Sequence, residues 1–245
     1  MVVTPLAEDF TLRVIGRVHS PFHEKFGIPR QPGLVKVPAT LVMLPPFDSP
    51  EMFEGLEDFS HLWLTFAFHA CLEQGWKSRV RPPRLGGNAS KGVFATRSPF
   101  RPNHLGLSVV ELADVEITHG RVRLHVRGAD LLHGTPIVDI KPYVPYVDSV
   151  EGAVGGFAGE APDRRLRVSF TLSAEQVLAR HPDGERLAAQ LVELIALDPR
   201  PAYHKENKDT QRTWGMRYAG LDVRWRVENE LALVTEVVDQ GQENQ

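Results

Sequence analysis

Apolar and polar positions alternate in short runs over residues 12–146, with Gly and Pro between the runs, so the dominant period there is that of strands. Residues 34–44 read as a strand in which Pro38 requires an edge or a bulge. Residues 62–68 are apolar on both sides, the pattern of a strand buried on both faces. Residues 108–118, a His119-Gly120 turn and residues 121–127 predict a hairpin. Its second strand turns Val122, Leu124 and Val126 inward and Arg121, Arg123, His125 and Arg127 outward. A short helix is predicted at Ser49-Pro50-Glu51, with Ser49 as its N-cap. Many short strands with few helices predict a mainly β fold, a barrel or a sandwich.

The pattern changes after residue 150. Residues 151–165 hold Gly152, Gly155, Gly156 and Gly159 among small residues, which is linker composition. A small α+β unit is predicted over 166–245. It has a strand at 166–172, a helix opened by a capping box at Ser173-Ala174-Glu175-Gln176, and a helix over 184–197 with Leu187, Leu191 and Leu194 on one face. Strands at 221–227 and 231–238 follow. Two domains result, 1–150 and 166–245.

Composition adds the compartment. A single cysteine, Cys71, excludes a disulfide framework, and no apolar run approaches a membrane span; a cytoplasmic protein is expected. The formal net charge is -3, but its distribution matters more. Between Glu73 and Glu111 there is no acidic residue, while Lys77, Arg79, Arg81, Arg84, Lys91, Arg97 and Arg101 fall there with Trp76, Phe94 and Phe100 among them. A local basic stretch of this kind fits a phosphate-bearing partner. Signatures of common chemistry are missing. No Gly-x-Gly-x-x-Gly follows a strand, no P-loop is present, and His61, His69 and Cys71 lack metal-site spacing, so no metal is expected. Three loops instead combine Pro, Gly and functional groups: 26–33 with Arg30 and Gln31; 94–107 with Arg97, Arg101 and Phe100; and 130–143 with Asp130, Asp139, Lys141 and Tyr143. Such loops on a strand scaffold are where sites lie.

These residues carry a resemblance. The runs 25–34, Phe59-Ser60-His61-Leu62-Trp63, Arg81-Pro82-Pro83-Arg84-Leu85-Gly86-Gly87-Asn88, 92–103, 134–143, Asp198-Pro199-Arg200-Pro201-Ala202-Tyr203 and Val223-Arg224-Trp225-Arg226-Val227 closely resemble the TrmO family, also called TsaA or YaeB. The resemblance spans nearly the whole chain and is weakest in the Gly-rich linker and at both tails. It implies a β-barrel rather than a Rossmann fold, and a homodimer with cofactor sites near the subunit interface. The implied activity is S-adenosylmethionine-dependent methylation of N6 of threonylcarbamoyladenosine, just 3′ of the tRNA anticodon. It also implies cofactor contacts at Arg30, Gln31, Pro32 and Gly33, at Phe68 and His69, at Arg97 and Leu107, and at Asp130, Leu131, Leu132 and His133.

The chemistry of that reaction assigns expected roles. The cofactor's carboxylate calls for Arg97, its ribose and amino groups for an acceptor such as Asp130, and its sulfonium for the aromatic face of Phe68 or Phe100. The acceptor nitrogen must lose a proton, for which Asp139, Tyr143 and His69 are the candidates, with Asp139 preferred and Lys141 as a charge stabiliser. A salt bridge with a neighbouring arginine is the plainer account of Asp139. The threonyl carboxylate calls for Arg200 or Lys205, with Tyr203 to stack on a base; the plainer account of residues 198–205 is a loop packed on the second domain. Lys77, Arg79, Arg81 and Arg84 would meet stem phosphates, and Arg101 either braces the pocket or reaches the RNA. A small-molecule methyltransferase and a non-catalytic cofactor- or RNA-binding module are the competing readings.

Overall fold

The computed structural model describes residues 11–161, 166–201 and 212–241. Six strands close into a barrel: β1 (Gly16–His19), β2 (Pro38–Met43), β3 (His61–Ala67), β6 (Leu105–Thr118), β7 (Arg121–Arg127) and β8 (Pro136–Pro142), in the order β1-β2-β7-β6-β3-β8. Two two-residue strands, β4 (Arg79–Val80) and β5 (Lys91–Gly92), pair antiparallel outside it. Alternate side chains fill the interior, among them Val18, Leu41, Leu62, Leu64, Val122, Leu124 and Ile137. The β6–β7 hairpin forms where predicted. Both turn residues, His119 and Gly120, have positive φ (52° and 73°), the twist that a two-residue hairpin needs. Pro38 opens β2, where its missing N–H costs no ladder bond.

Two expectations in this half are corrected. In β3, Leu62, Leu64 and Phe66 are buried but Trp63 and Thr65 are only partly so; the strand has one core face, and its apolar outer face serves another purpose. Residues Pro50–Phe53 form a short 3-10 turn rather than an α-helix, and the Ser49 side chain at its N-cap position accepts no hydrogen bond from it.

The second sheet runs β10-β11-β12-β9, from β9 (Arg167–Phe170), β10 (Trp214–Tyr218), β11 (Leu221–Glu228) and β12 (Leu231–Asp239), with β9 parallel to β12. A one-turn helix, α1 (Pro145–Asp148), precedes it, and α2 (Leu172–Arg180) and α3 (Gly184–Ala196) belong to the same half. The cap of α2 is Thr171, whose Oγ1 accepts from Ala174 N at 3.4 Å, so the helix starts earlier than the Ser173 box predicted. Strand β10 was not anticipated.

The hydrophobic cores do not divide where the sheets do. Phe22, Val35 and Val37, from the segment between β1 and β2, belong to the second core with Leu187, Leu191, Ile195, Val223 and Trp225. Phe22 packs on Tyr218 (5.5 Å between centroids), and Phe26 stacks near both Trp214 and Trp225 (6.3 and 6.0 Å). Ala219 N donates to Pro21 O (3.0 Å) and Arg217 N to Glu24 Oε1 (2.8 Å). Each buried aromatic here is worth about 1.5–3 kcal/mol. The predicted boundary near 150 therefore separates two sheets while the first half's own loop completes the second half's core. Gly27 sits at this join with φ +91°, and a Cβ there would meet Met216 Sδ at 2.8 Å.

Candidate functional site

The outer face of β3 and β6 is a wall of one cleft, of about 640 Å³. Trp63 and Thr65 from β3 and Leu107 from β6 form that wall, which explains why β3 is apolar on its second side. Three loops close the cleft: 28–32, 96–101 and 130–135. The chain leaves the barrel at Phe68 and returns at His104, where Phe68 N donates to His104 O at 2.8 Å. Residues 69–103 thus form a lobe that departs from the cleft and comes back to it.

Of the residues expected to hold the cofactor, Arg30, Gln31, Pro32, Phe68, His69, Arg97, Leu107, Asp130, Leu131 and Leu132 come together in this one lining. Gly33 and His133 do not. Gly33 has φ +75°, and its N–H donates to Gly128 O (2.9 Å), so it pins the 28–33 loop to the barrel rather than lining the cleft. His133 turns to the other side of its loop and stacks on His23 (4.5 Å, 18°), with His19 5.1 Å away, beside a second concavity. No group of three His, Cys, Asp or Glu among the described residues converges as metal ligands.

Asp139 and Tyr143 also fall outside the lining. Asp139 pairs with Thr65 across β8 and β3 but is exposed at the cleft's edge, and among the described residues it has no ion-pair partner, so the salt-bridge account fails too. Lys141 is exposed opposite Trp63, and Tyr143 packs on Trp63 and His61 (6.0 and 6.2 Å). Asp139, Lys141 and Tyr143 are two residues apart, so they share the barrel's outer face with Thr65 and Trp63 and form a row alongside the cleft wall, outside the residues that line it. Of the three proton-acceptor candidates, His69 alone is in it.

The cleft holds a carboxylate, a cation and a neutral base. Asp130 accepts from Ser108 Oγ at 2.8 Å. Burial pushes its carboxyl above the usual range, against the pull of Ser108, its own backbone N–H and the Arg97 charge. Arg97 Nη1 donates to Gln31 Oε1 at 2.5 Å, which joins two of the loops and leaves the guanidinium at the opening. His69 is held below the ordinary imidazole value, first by burial and then by the charges of Arg17 and Lys25. Phe66 and Phe68 meet edge to face at 5.1 Å behind it. Neither Ser108 nor Lys25 was singled out in the sequence; each is made functional by a contact across many residues, which no local pattern encodes.

Arg30 faces both the cleft and the second sheet. Burial lowers its pKa, the Asp198 charge opposes that, and Arg30 Nη2 donates to Arg200 O at 3.3 Å. Arg200 itself is 8% exposed, and its guanidinium binds Asp198 through two bonds of 2.7 and 3.0 Å. Its expected role as a surface cation is thereby overturned: the charge is already neutralised and buried. Tyr203 and Lys205 lie outside the described residues.

On the lobe, Lys77, Arg79, Arg81, Arg84 and Lys91 are all exposed. Arg79 donates to Ser90 and Arg84 to the carbonyl of Glu160, both neutral acceptors, and among the described residues neither forms an ion pair. Arg101 is different. Its Nη1 donates to Thr96 O at 2.6 Å and to Val93 O at 3.4 Å, which makes it a brace of the 93–101 loop.

Comparison with known proteins agrees with this arrangement. Residues 17–149 match the model of the tRNA-methyltransferase O N-terminal domain, and residues 163–240 that of the TrmO C-terminal domain. The chain is 46% identical over 221 residues to a tRNA (adenine(37)-N6)-methyltransferase of Escherichia coli, covering 89% of this chain and 94% of the relative. A Pyrococcus abyssi protein named a probable S-adenosyl-L-methionine-binding protein is 40% identical over 137 residues, 56% of this chain and 69% of its own. The crystal structure of TrmO from Pseudomonas aeruginosa superposes with a TM-score of 0.77 at 39% identity, over 95% of this chain and 98% of that one. With both domain models matched in order and the solved fold shared along almost its full length, the chain belongs to the TrmO family.

Proposed function

We propose that this chain is an S-adenosylmethionine-dependent tRNA methyltransferase acting on N6 of threonylcarbamoyladenosine beside the anticodon. The observation that carries the reading is the union of one cleft and one surface. A cleft with a carboxylate, an arginine and an apolar wall opens beside a lobe that carries seven basic residues and one acid, Glu73. The cleft fits the cofactor on chemical grounds. Asp130 accepts from ribose hydroxyls or the amino group, and Arg97 meets the carboxylate. Phe68 and Leu107 cover the apolar parts, with aromatic faces tolerant of a sulfonium. When bound, S-adenosylmethionine supplies an electrophilic methyl group.

The chain's own residues do the rest. The acceptor nitrogen shares its lone pair with the purine ring and the carbamoyl group, so it is a weak nucleophile and gains from positioning in a site that excludes water. Its proton needs a base, and His69 takes this role in place of Asp139: it lies in the cleft, and burial, then the charges of Arg17 and Lys25, hold its pKa below the ordinary imidazole value. Lys77, Arg79, Arg81 and Arg84 meet phosphates. Residues 166–245 serve substrate recognition, while Arg30, Asp198 and Arg200 tie that unit to the cofactor loop. The enzyme is read as a homodimer with its clefts near the subunit interface, as the family resemblance implies. A tRNA substrate supports a cytoplasmic location.

Mass spectrometry of tRNA nucleosides tests the proposal. Incubation with S-adenosylmethionine is expected to add one methyl group to threonylcarbamoyladenosine and none to tRNA lacking that modification. Methylation of unmodified adenosine, or of neither tRNA, overturns the substrate assignment.

A further inference from the structure

The lobe formed by residues 69–103 carries two large aromatic side chains that its own folding does not use. Trp76 is 61% exposed and Phe94 76% exposed, while Cys71 and Val93 are buried on the inner side of the same lobe. Leaving rings of this size in water forgoes the stabilisation that burial would give.

Both are fixed in place by backbone bonds around them. Trp76 follows Gly75, whose φ of +62° and ψ of -175° favour glycine, and precedes Lys77, whose N–H donates to Phe100 O at 3.1 Å. Phe94 sits in a 3-10 turn between Val93, whose N–H donates to Ser78 O at 3.0 Å, and Thr96. The Arg101 guanidinium that braces this turn lies 5.7 Å from the Phe94 ring centre. Phe100 differs, because Lys77 Nζ already covers its ring at 4.3 Å. The two exposed rings therefore stand on backbone tied together through β4, β5 and the 96–101 loop, and that loop lines the cleft.

Charge decides what these rings face. The seven basic residues of the stretch include Lys77 and Arg79 within three positions of Trp76 in the chain, and Lys91 and Arg97 three positions to either side of Phe94. Among the described residues none of the seven forms an ion pair. A partner that combines negative charge with flat apolar faces is single-stranded nucleic acid, whose bases stack on aromatic rings while its phosphates meet the cations.

We propose that Trp76 and Phe94 are stacking platforms for unpaired bases of an RNA loop, holding the strand on the lobe so that one nucleotide enters the cleft beside it. This deepens the reading of the site as a tRNA methyltransferase and rests on it. Stacking needs unpaired bases, so the contribution is specific to loop RNA.

The test is binding of a synthetic anticodon stem-loop bearing threonylcarbamoyladenosine, set against a fully paired RNA duplex of equal length. Trp76→Ala and Phe94→Ala are each expected to weaken stem-loop binding by roughly 10-fold. Duplex binding, S-adenosylmethionine affinity and the salt slope should not change. Trp76→Phe and Phe94→Tyr should restore most of the loss. A double alanine variant that binds and methylates the stem-loop as the parent does overturns the proposal. So does a double variant with normal RNA affinity that has lost concentration-dependent self-association, because the rings then serve a second copy of the chain. Ring-dependent stem-loop binding by a parent protein that methylates no tRNA supports the stacking assignment and removes the methyl-transfer reading.

Discussion

At the residue scale, the chemistry of the cleft turns on two groups whose proton affinities the fold moves in opposite directions. His69 is kept neutral by burial, Arg17 and Lys25. If it accepts the substrate's proton, activity falls only when the pH drops below its depressed value and is flat above it. Lys25→Met removes one positive charge while keeping the aliphatic stem, so His69 should protonate more readily and the acidic limb of the kcat/KM profile should move to higher pH. An unmoved limb takes that role from His69. For Asp130, burial raises the pKa. A carboxyl with a higher value folded than unfolded contributes its stability fully below the unfolded value, and loses it as pH rises through the folded one. Asp130→Asn should therefore raise the melting temperature of the ligand-free protein at neutral pH, with the gain vanishing in acid. The same variant should bind S-adenosylmethionine more weakly in calorimetry, a site group kept at a cost to the fold.

At the element scale, β3 does two jobs, and its register explains both. Leu62, Leu64 and Phe66 fill the barrel while Trp63 and Thr65 face the cleft, an alternation that sequence alone presents as an all-apolar run. Opposite Phe66 lies Gly106, where an added Cβ would stand 2.3 Å from the ring. Gly106→Ala should cost about 1–3 kcal/mol in denaturant unfolding, as overpacking does. Because Phe66 meets Phe68 edge to face, the displaced ring should also raise the KM for S-adenosylmethionine. The hairpin β6–β7 was legible because its alternation and its turn are both local. The start of α2 was misplaced because Thr171 and Ser173 are equally good caps on paper, and only the backbone shows which side chain reaches a free N–H.

At the scale of the whole molecule, the 26–33 loop is held by the second half of the chain. Phe26 stacks near Trp214 and Trp225, and four residues further on Arg30 meets Arg200 and the charge of Asp198. Asp198→Asn would leave the Arg200 guanidinium buried without its counter-charge. A loss of about 3–5 kcal/mol in urea unfolding is expected. Electrostatics also act at this scale. The affinity for tRNA should fall steeply with salt, and each of Lys77→Ala, Arg79→Ala, Arg81→Ala and Arg84→Ala should flatten the log–log slope by about 0.7–0.9. A slope indifferent to all four takes the phosphate contacts off the lobe.

The sequence by itself determined what depends on near neighbours. Strand alternation, turn residues, the basic stretch without acids after Glu73 and the long Pro- and Arg-rich motifs sufficed for a mainly β fold, a second α+β unit and the family. Ten of the expected cofactor contacts fall in one cleft; eight of them sit in the three segments legible as loops, and Phe68 and His69 follow the end of β3. Only the tertiary structure decided which side chain of each loop faces inward. His133 and Gly33 turn away, Asp139 and Tyr143 run past the cleft along β8, and Arg200 spends its charge on Asp198. Each outcome depends on contacts between residues far apart in the chain, formed only once the sheets have packed. For the same reason the boundary read near residue 150 marks a change of composition, while the packed cores join across it through residues 20–37.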